Sequence, residues 1–197
     1  MKKVDTDSKK KEIIAIALSC LKDSSCKDLS IRQICAKGNI SIGTFYHYFK
    51  TKEELLTAIM LKYDDVLTVN MEKLLSGNSG ADNLLFFSDL FALDSVNNTA
   101  ISGTIVSSID IPLPSTDEER IAERCRPLYK IPYEIIQRGQ SCGEFTTKYS
   151  IDSLTDKYIM ILRGASIEWF RRKCSYDIRQ YTREVTELFI DSIHNNK

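Results

Sequence analysis

The sequence has 197 residues, 43 % of them hydrophobic and 27 % charged, with 27 Lys/Arg balanced by 27 Asp/Glu. That length excludes a many-domain assembly, and eight Gly and four Pro are too few for a turn-rich β fold. The neutral total hides an asymmetry: residues 1–52 hold eleven Lys/Arg against five Asp/Glu, and the remainder sixteen against twenty-two. A basic first quarter on an acidic body suits a localised polyanion-binding surface, or a merely solvated lysine-rich one. The polar start Met1-Lys2-Lys3-Val4-Asp5 leads to no apolar signal core, and no run reaches membrane-spanning length. A cytoplasmic protein with no membrane partner is expected.

Ile13, Ile14, Ala17, Leu18 and Leu21 recur at helical spacing and predict a first helix over about 8–23. Ser30 with Gln33 three residues later is a capping-box pattern and predicts a short helix over 31–37, broken by Gly38-Asn39. Ser41 caps a third short helix, 42–48. Thr51 with Glu54 starts a fourth, whose Leu55, Leu56, Ile59, Met60, Tyr63, Leu67, Met71, Leu74 and Leu75 predict one long amphipathic helix to about residue 75. Gly77 to Gly80 breaks the chain, and Leu84 to Leu93 reads as an apolar helix. Residues 99–109 read as helix with strand as the alternative, and 110–115, with Pro112 and Pro114, as loop. Pro127 and Pro132 should kink or split a helix over 117–139. A turn over 139–147 precedes helices over 152–174 and 178–194. The expectation is an all-α protein of about nine helices.

Three short helices ahead of a long one suggest a DNA-binding head. Ile34, Ile40, Phe45 and Phe49 would form its small core, leaving the third helix to enter a major groove. Small and polar residues at that helix's start allow close approach to phosphates, and its N-terminus favours anions. The stretch 29–56, LSIRQICAKGNISIGTFYHYFKTKEELL, resembles the signature of the TetR family of helix-turn-helix regulators. The matching features are Ser30, Ile34-Cys35, Ile40-Ser41, Gly43-Thr44-Phe45-Tyr46, Tyr48-Phe49 and Thr51-Lys52-Glu53. Two departures stand out: Asn39 where Gly is usual, and Cys35 where Ala is usual.

The resemblance implies an N-terminal three-helix head, residues 1–50, and a helical effector-binding and dimerisation domain, residues 51–197. Expected DNA contacts are Ser30, Arg32, Ser41, Ile42, Gly43, Thr44, Tyr46, His47, Tyr48 and Lys52, with Tyr46 and Lys52 most favoured by the resemblance. Lys9, Lys10 and Lys11 are candidates for flanking phosphates. Partners implied are double-stranded, roughly palindromic operator DNA, a second copy of the chain and a small-molecule effector. The dimer is expected through the last two helices, by way of Ile161, Ala165, Trp169, Val185, Leu188 and Phe189, with Gly164, Ala165 and Ser166 allowing close approach. The family places its effector among the middle helices, where Met60, Tyr63, Phe86, Phe87, Phe91, Tyr129, Tyr133, Met160 and Trp169 supply aromatic and thioether surface for an apolar or aromatic molecule. The lack of an obvious buried charge pair points to a mostly neutral one. Repression relieved by that effector is the implied activity.

No catalytic residue, cofactor or metal site is expected. Cys20, Cys26, Cys35, Cys125, Cys142 and Cys174 contain no C-x-x-C spacing, and His47 and His194 are the only His. Gly139-Gln140-Ser141-Cys142-Gly143 matches the hydrolase pattern G-x-S-x-G, with Asp152 and His194 following in triad order. A nucleophile elbow needs a strand before its Ser, and a helical run precedes this one. The other rival, a helical interaction module whose basic head binds an acidic protein, does not account for the spacing of residues 29–56.

Overall fold

The computed structural model describes residues 2–23, 30–76, 79–97 and 116–195. The chain is all-α, with eleven helical segments and no strand among the described residues. The expected helix over 99–109 and loop over 110–115 lie outside them, as does Cys26. Packing divides the described residues into two compact units, one through Lys62 and the other from Tyr63.

The first unit comprises α1 (Lys2–Asp23), α2 (Ile31–Lys37), α3 (Ile42–Tyr48) and α4 (Lys52–Met60). All three short helices start on side-chain caps. Ser30 Oγ accepts from the Gln33 N–H, Ser41 Oγ from Thr44, and Thr51 Oγ1 from Glu54, each satisfying one orphan amide of a first turn. Ile13 and Ala17 of α1, Ile34 and Cys35 of α2, Phe45 of α3, Phe49, and Leu55, Leu56 and Ile59 of α4 form one buried core. Because α4 contributes three of these, the packed unit extends past residue 50. The turn between α2 and α3 divides two tasks between its residues. Asn39 takes the left-handed conformation (φ +48°), which Asn tolerates, while Gly38 does not. A Cβ at Gly38 would lie 2.6 Å from Ile16 Cδ1, the movable end of a partly buried side chain, and 3.3 Å from the Ile34 carbonyl oxygen, so a larger residue there requires Ile16 to shift.

The second unit contains α5 (Lys62–Val69), α6 (Met71–Leu74), α7 (Gly80–Asn97), α8 (Asp117–Arg124), α9 (Pro127–Ser141), α10 (Ile151–Arg171) and α11 (Ile178–Ile193). The single helix expected from 52 to 75 is thus three segments, interrupted at Leu61 and Asn70. Near the second break, Thr68 Oγ1 donates to the Asp64 carbonyl (2.7 Å) and Asn70 Nδ2 to the Val66 carbonyl (2.8 Å). Such local side-chain bonds compete with the helix's own ladder. Pro127 opens α9 and ends α8, where its missing N–H costs nothing, whereas Pro132 is carried inside α9.

The core of this unit is centred on Tyr158 of α10. Its ring lies 5.8 Å from Phe87 of α7 and 5.4 Å from Phe189 of α11, and its hydroxyl donates to the Leu84 carbonyl at 2.6 Å. Burial holds the Tyr158 phenol far above its ordinary range, so it stays a neutral donor. The turn after α9 ties three helices together. The Glu144 carboxylate accepts from the Gly80 and Ala81 N–H groups (2.8 and 2.9 Å), capping α7 from more than sixty residues away. Phe145, fully buried, lies against Gly139 and Gly80, where any Cβ would run into its ring.

Candidate nucleic-acid interface

On the first unit, α3 presents a continuous exposed face. Ile42 and Tyr46 are 46 % and 44 % exposed, and Gly43 and His47 are exposed beside them. The expected Ser41 cap orders α3 and engages two of the hydroxyls also expected to face DNA. Ser41 Oγ accepts from the Thr44 N–H at 2.9 Å and lies 2.8 Å from Thr44 Oγ1, so the two hydroxyls act as a pair. Ser30, exposed at the start of α2, is engaged reciprocally: its N–H donates to Gln33 Oε1 at 2.8 Å. Arg32 is exposed on α2, and Lys52 is half-buried at the start of α4.

Tyr48 departs from expectation. Its ring is half-buried against the head's core, edge-on to His47 at 4.9 Å, so it supports the α3 face more than it extends it. The expected contacts omitted Lys50, which is exposed, donates from its N–H to Glu54 Oε2 (2.6 Å) and directs Nζ to the Tyr46 carbonyl (3.2 Å). Its place after Phe49, in the elbow between α3 and α4, was the available signal. Of the flanking lysines, Lys9 pairs with Glu12 (2.8 Å) and Lys10 sits over the Phe49 ring (5.6 Å). A cation stacked on a ring that is itself core has a defined position on the head.

Among the described side chains, the residues expected around an effector fall in different surroundings. Tyr129 and Tyr133 share a cleft of about 280 Å³ with Arg124, Lys130, Asp152 and Thr155. Phe87 is spent in the core beside Tyr158. Trp169 belongs to a separate cluster with Ala92, Ala165 and Ile178, its Nε1–H donating to the Tyr176 carbonyl (2.8 Å). Phe86 and Phe91 are half-buried, the former under Lys73 Nζ at 4.2 Å. Met160 is 70 % exposed and faces outward, because it falls on the opposite side of α10 from Tyr158, Leu162 and Ala165. The side chains of Met60 and Tyr63 lie outside the described ones. Contrary to the expectation of no buried charge pair, partly buried ion pairs occur in this body. Arg126 meets Asp64 at 2.8 Å and Arg163 meets Glu123 at 3.2 Å.

Ser141 is no nucleophile elbow. It ends a helix, and its hydroxyl donates to the Gln137 carbonyl at 2.8 Å. His194 instead joins Phe145 in an isolated antiparallel bridge. The five described cysteines are free thiols, and no cluster of three or more metal-ligating side chains occurs among the described residues. No helix described is long and apolar enough to cross a membrane.

An exposed, side-chain-capped α3 held by a tight turn against α2, on a small core of its own, defines a helix-turn-helix DNA-binding protein. Residues 13–59 match the family of bacterial regulatory proteins of the tetR type. The transcriptional repressor KstR2 of Mycolicibacterium smegmatis is 23 % identical over 167 residues, spanning 83 % of this chain and 80 % of the relative. The regulator FadR of Bacillus subtilis, solved with stearoyl-CoA, superposes with a TM-score of 0.75 at 19 % identity, over 93 % of this chain and 98 % of its own. A TetR transcription regulator of Haloarcula marismortui gives 0.72 at 16 % identity, over 96 % and 100 %. The chain carries a TetR-type DNA-binding head over these residues and is a DNA-binding transcriptional regulator.

Proposed function

We propose that the chain is a cytoplasmic homodimeric repressor that binds a roughly palindromic operator through α3 and is released by a small molecule. The observation that carries the DNA reading is the exposed α3 face of Ile42, Gly43, Tyr46 and His47, flanked by Thr44, Lys50 and Lys52. Ile42 suits a thymine methyl, and Tyr46, Lys50 and Lys52 suit phosphates. Repression is supported by the likeness to KstR2.

The dimer reading is supported by apolar side chains left outside on the last two long helices. Met160, Gly164 and Ile167 form one stripe on α10, and Tyr181 and Leu188 another on α11, with Leu188 69 % exposed. A Cβ on Gly164 would meet nothing within 4 Å, which leaves room for a partner's backbone. This stripe differs from the expected one, because Ala165, Trp169 and Phe189 are turned into their own subunit. A two-fold pair would present its heads to successive major grooves about 34 Å apart.

An effector class is supported only in outline. FadR of Bacillus subtilis was solved with an acyl thioester, and the aromatic and Met residues of this body suit an apolar ligand. Binding-site selection with purified protein, alongside light scattering, tests the whole reading. A recovered inverted repeat bound by a dimer is the expected result. A monomer, or sequences with no repeat, would overturn it.

A further inference from the structure

Helical spacing puts Tyr129, Lys130 and Tyr133 side by side on one face of α9. With Arg124 at the end of α8 and Asp152 and Thr155 in the first turns of α10, they line the cleft of about 280 Å³. The polar groups around it are unequally committed. Arg124 spans Asp152 and Asp156 at 2.9 and 2.8 Å, which neutralises the carboxylate that lines the cleft. The Tyr129 hydroxyl accepts from Arg163 Nη1 at 2.8 Å, and Arg163 also meets Glu123 at 3.2 Å. Buried Thr155 returns its hydroxyl to the Ile151 carbonyl at 2.8 Å. Among the described residues lining the cleft, two donors remain uncommitted. Lys130 is 56 % exposed and approaches Glu134 at 3.8 Å, too far for a hydrogen bond. The Tyr133 hydroxyl, on a half-buried ring, has no hydrogen-bond partner among the described residues.

One unpaired ammonium and one unpaired phenol, beside two tyrosine rings, match a ligand with one negative charge and one flat apolar part. We propose that this cleft binds a small monocarboxylate carrying a single ring-sized apolar group, with the carboxylate on Lys130 Nζ and the Tyr133 hydroxyl and the apolar part against the Tyr129 and Tyr133 rings. The inference rests on the small-molecule reading above and names its site and ligand class. A carboxylate accepts from both donors at once, and a charge-assisted bond is stronger than a neutral one. A dianion would find no second unpaired cation among the lining residues, because Arg124 is already held by two carboxylates. A cationic ligand would meet the like charge of Lys130. The volume, about 280 Å³, falls just below the roughly 300–1,000 Å³ usual for drug-sized ligands and limits the apolar part to about one ring. A singly charged ligand also departs from the neutral one expected from the sequence.

Calorimetric titration of the full chain with phenylacetate, phenylacetamide and acetate tests this. Phenylacetate should bind, the uncharged amide about three- to tenfold more weakly, and acetate more weakly than phenylacetate for want of a ring. The gap between phenylacetate and its amide should narrow as salt is raised, because Lys130 is exposed. Lys130→Met should bring phenylacetate down to the level of the amide and leave the amide nearly unchanged. Tyr133→Phe should weaken both. Melting curves check that each variant is folded, and Lys130→Gln serves if Lys130→Met is not. No binding of phenylacetate, equal binding of the amide or of acetate, or an unchanged profile in the folded Lys130 variant would overturn the proposal. Operator release, read by gel shift on the selected site, is a separate outcome. Phenylacetate that binds through Lys130 without releasing the operator would refute the effector reading and leave the binding site standing. Release by another small molecule, with no phenylacetate bound, would refute the site and leave the effector reading standing.

Discussion

The two units of this regulator are held together over different distances in sequence. In the head, the polar bonds that shape helices join near neighbours: Ser30 with Gln33, Ser41 with Thr44, Thr51 with Glu54, and Lys50 with Glu54. In the body the corresponding bonds span the chain. Glu144 caps α7 at Gly80, Tyr158 reaches Leu84, Arg126 reaches Asp64, and Arg138 reaches Leu75. A local cap is set by spacing and tolerates any body attached to it. A long-range cap exists only once the fold has brought its two ends together, so the body depends more on cooperative assembly.

The sharpest way to break this contrast is to damage each core in turn. Phe145→Ala should cost about 3–5 kcal/mol and melt the body, because the ring fills the space between Gly139 and Gly80. Phe49→Ala should cost the head a similar amount. Calorimetry would then show a head lost with the body transition retained, and a single coincident transition in the Phe49 variant would argue that the units are not separable.

Next in size is the cap. Glu144→Ala removes a carboxylate from two first-turn amides of α7 and should lower stability by about 2 kcal/mol, read by urea denaturation. The head's equivalent, Ser41→Ala, should cost about 1 kcal/mol and fray α3, with operator binding weakened more than stability.

Smaller still for stability, but large for function, are Tyr46→Ala and Lys52→Ala. Neither side chain belongs to the buried core, so melting should move little. Each lost phosphate contact should weaken operator binding and reduce the salt dependence of affinity by about one unit. Two variants that bind like wild type would refute these contacts.

The least perturbing test uses the native thiols. Cys20 and Cys35 are buried in the head, and desolvation raises the Cys35 thiol above its ordinary value, so it stays protonated near neutrality. Cys125 and Cys142 are exposed on the body. Brief alkylation followed by peptide mapping should modify Cys125 and Cys142 well before Cys20 or Cys35. Early labelling of Cys35 would mean that the head opens more readily than its core implies.

The sequence by itself determined the head. Ser30, Ser41 and Thr51 announce helices through neighbours three residues away, Asn39 stands where a left-handed residue is needed, and Phe45 and Phe49 fall on the buried face. All of this follows from short-range stereochemistry and helical period. Only the tertiary structure decided the rest. Periodicity marks α10 as amphipathic but does not say which stripe meets its own subunit, so Trp169 and Phe189 turned inward while Met160 and Leu188 were left outside. It also could not show that the turn from Gly139 to Phe145 is a clamp, because Glu144 and Phe145 find partners at Gly80 across more than sixty residues of chain. Spacing encodes what a residue's neighbours can do for it, and contacts between distant segments are fixed only when the core closes around them.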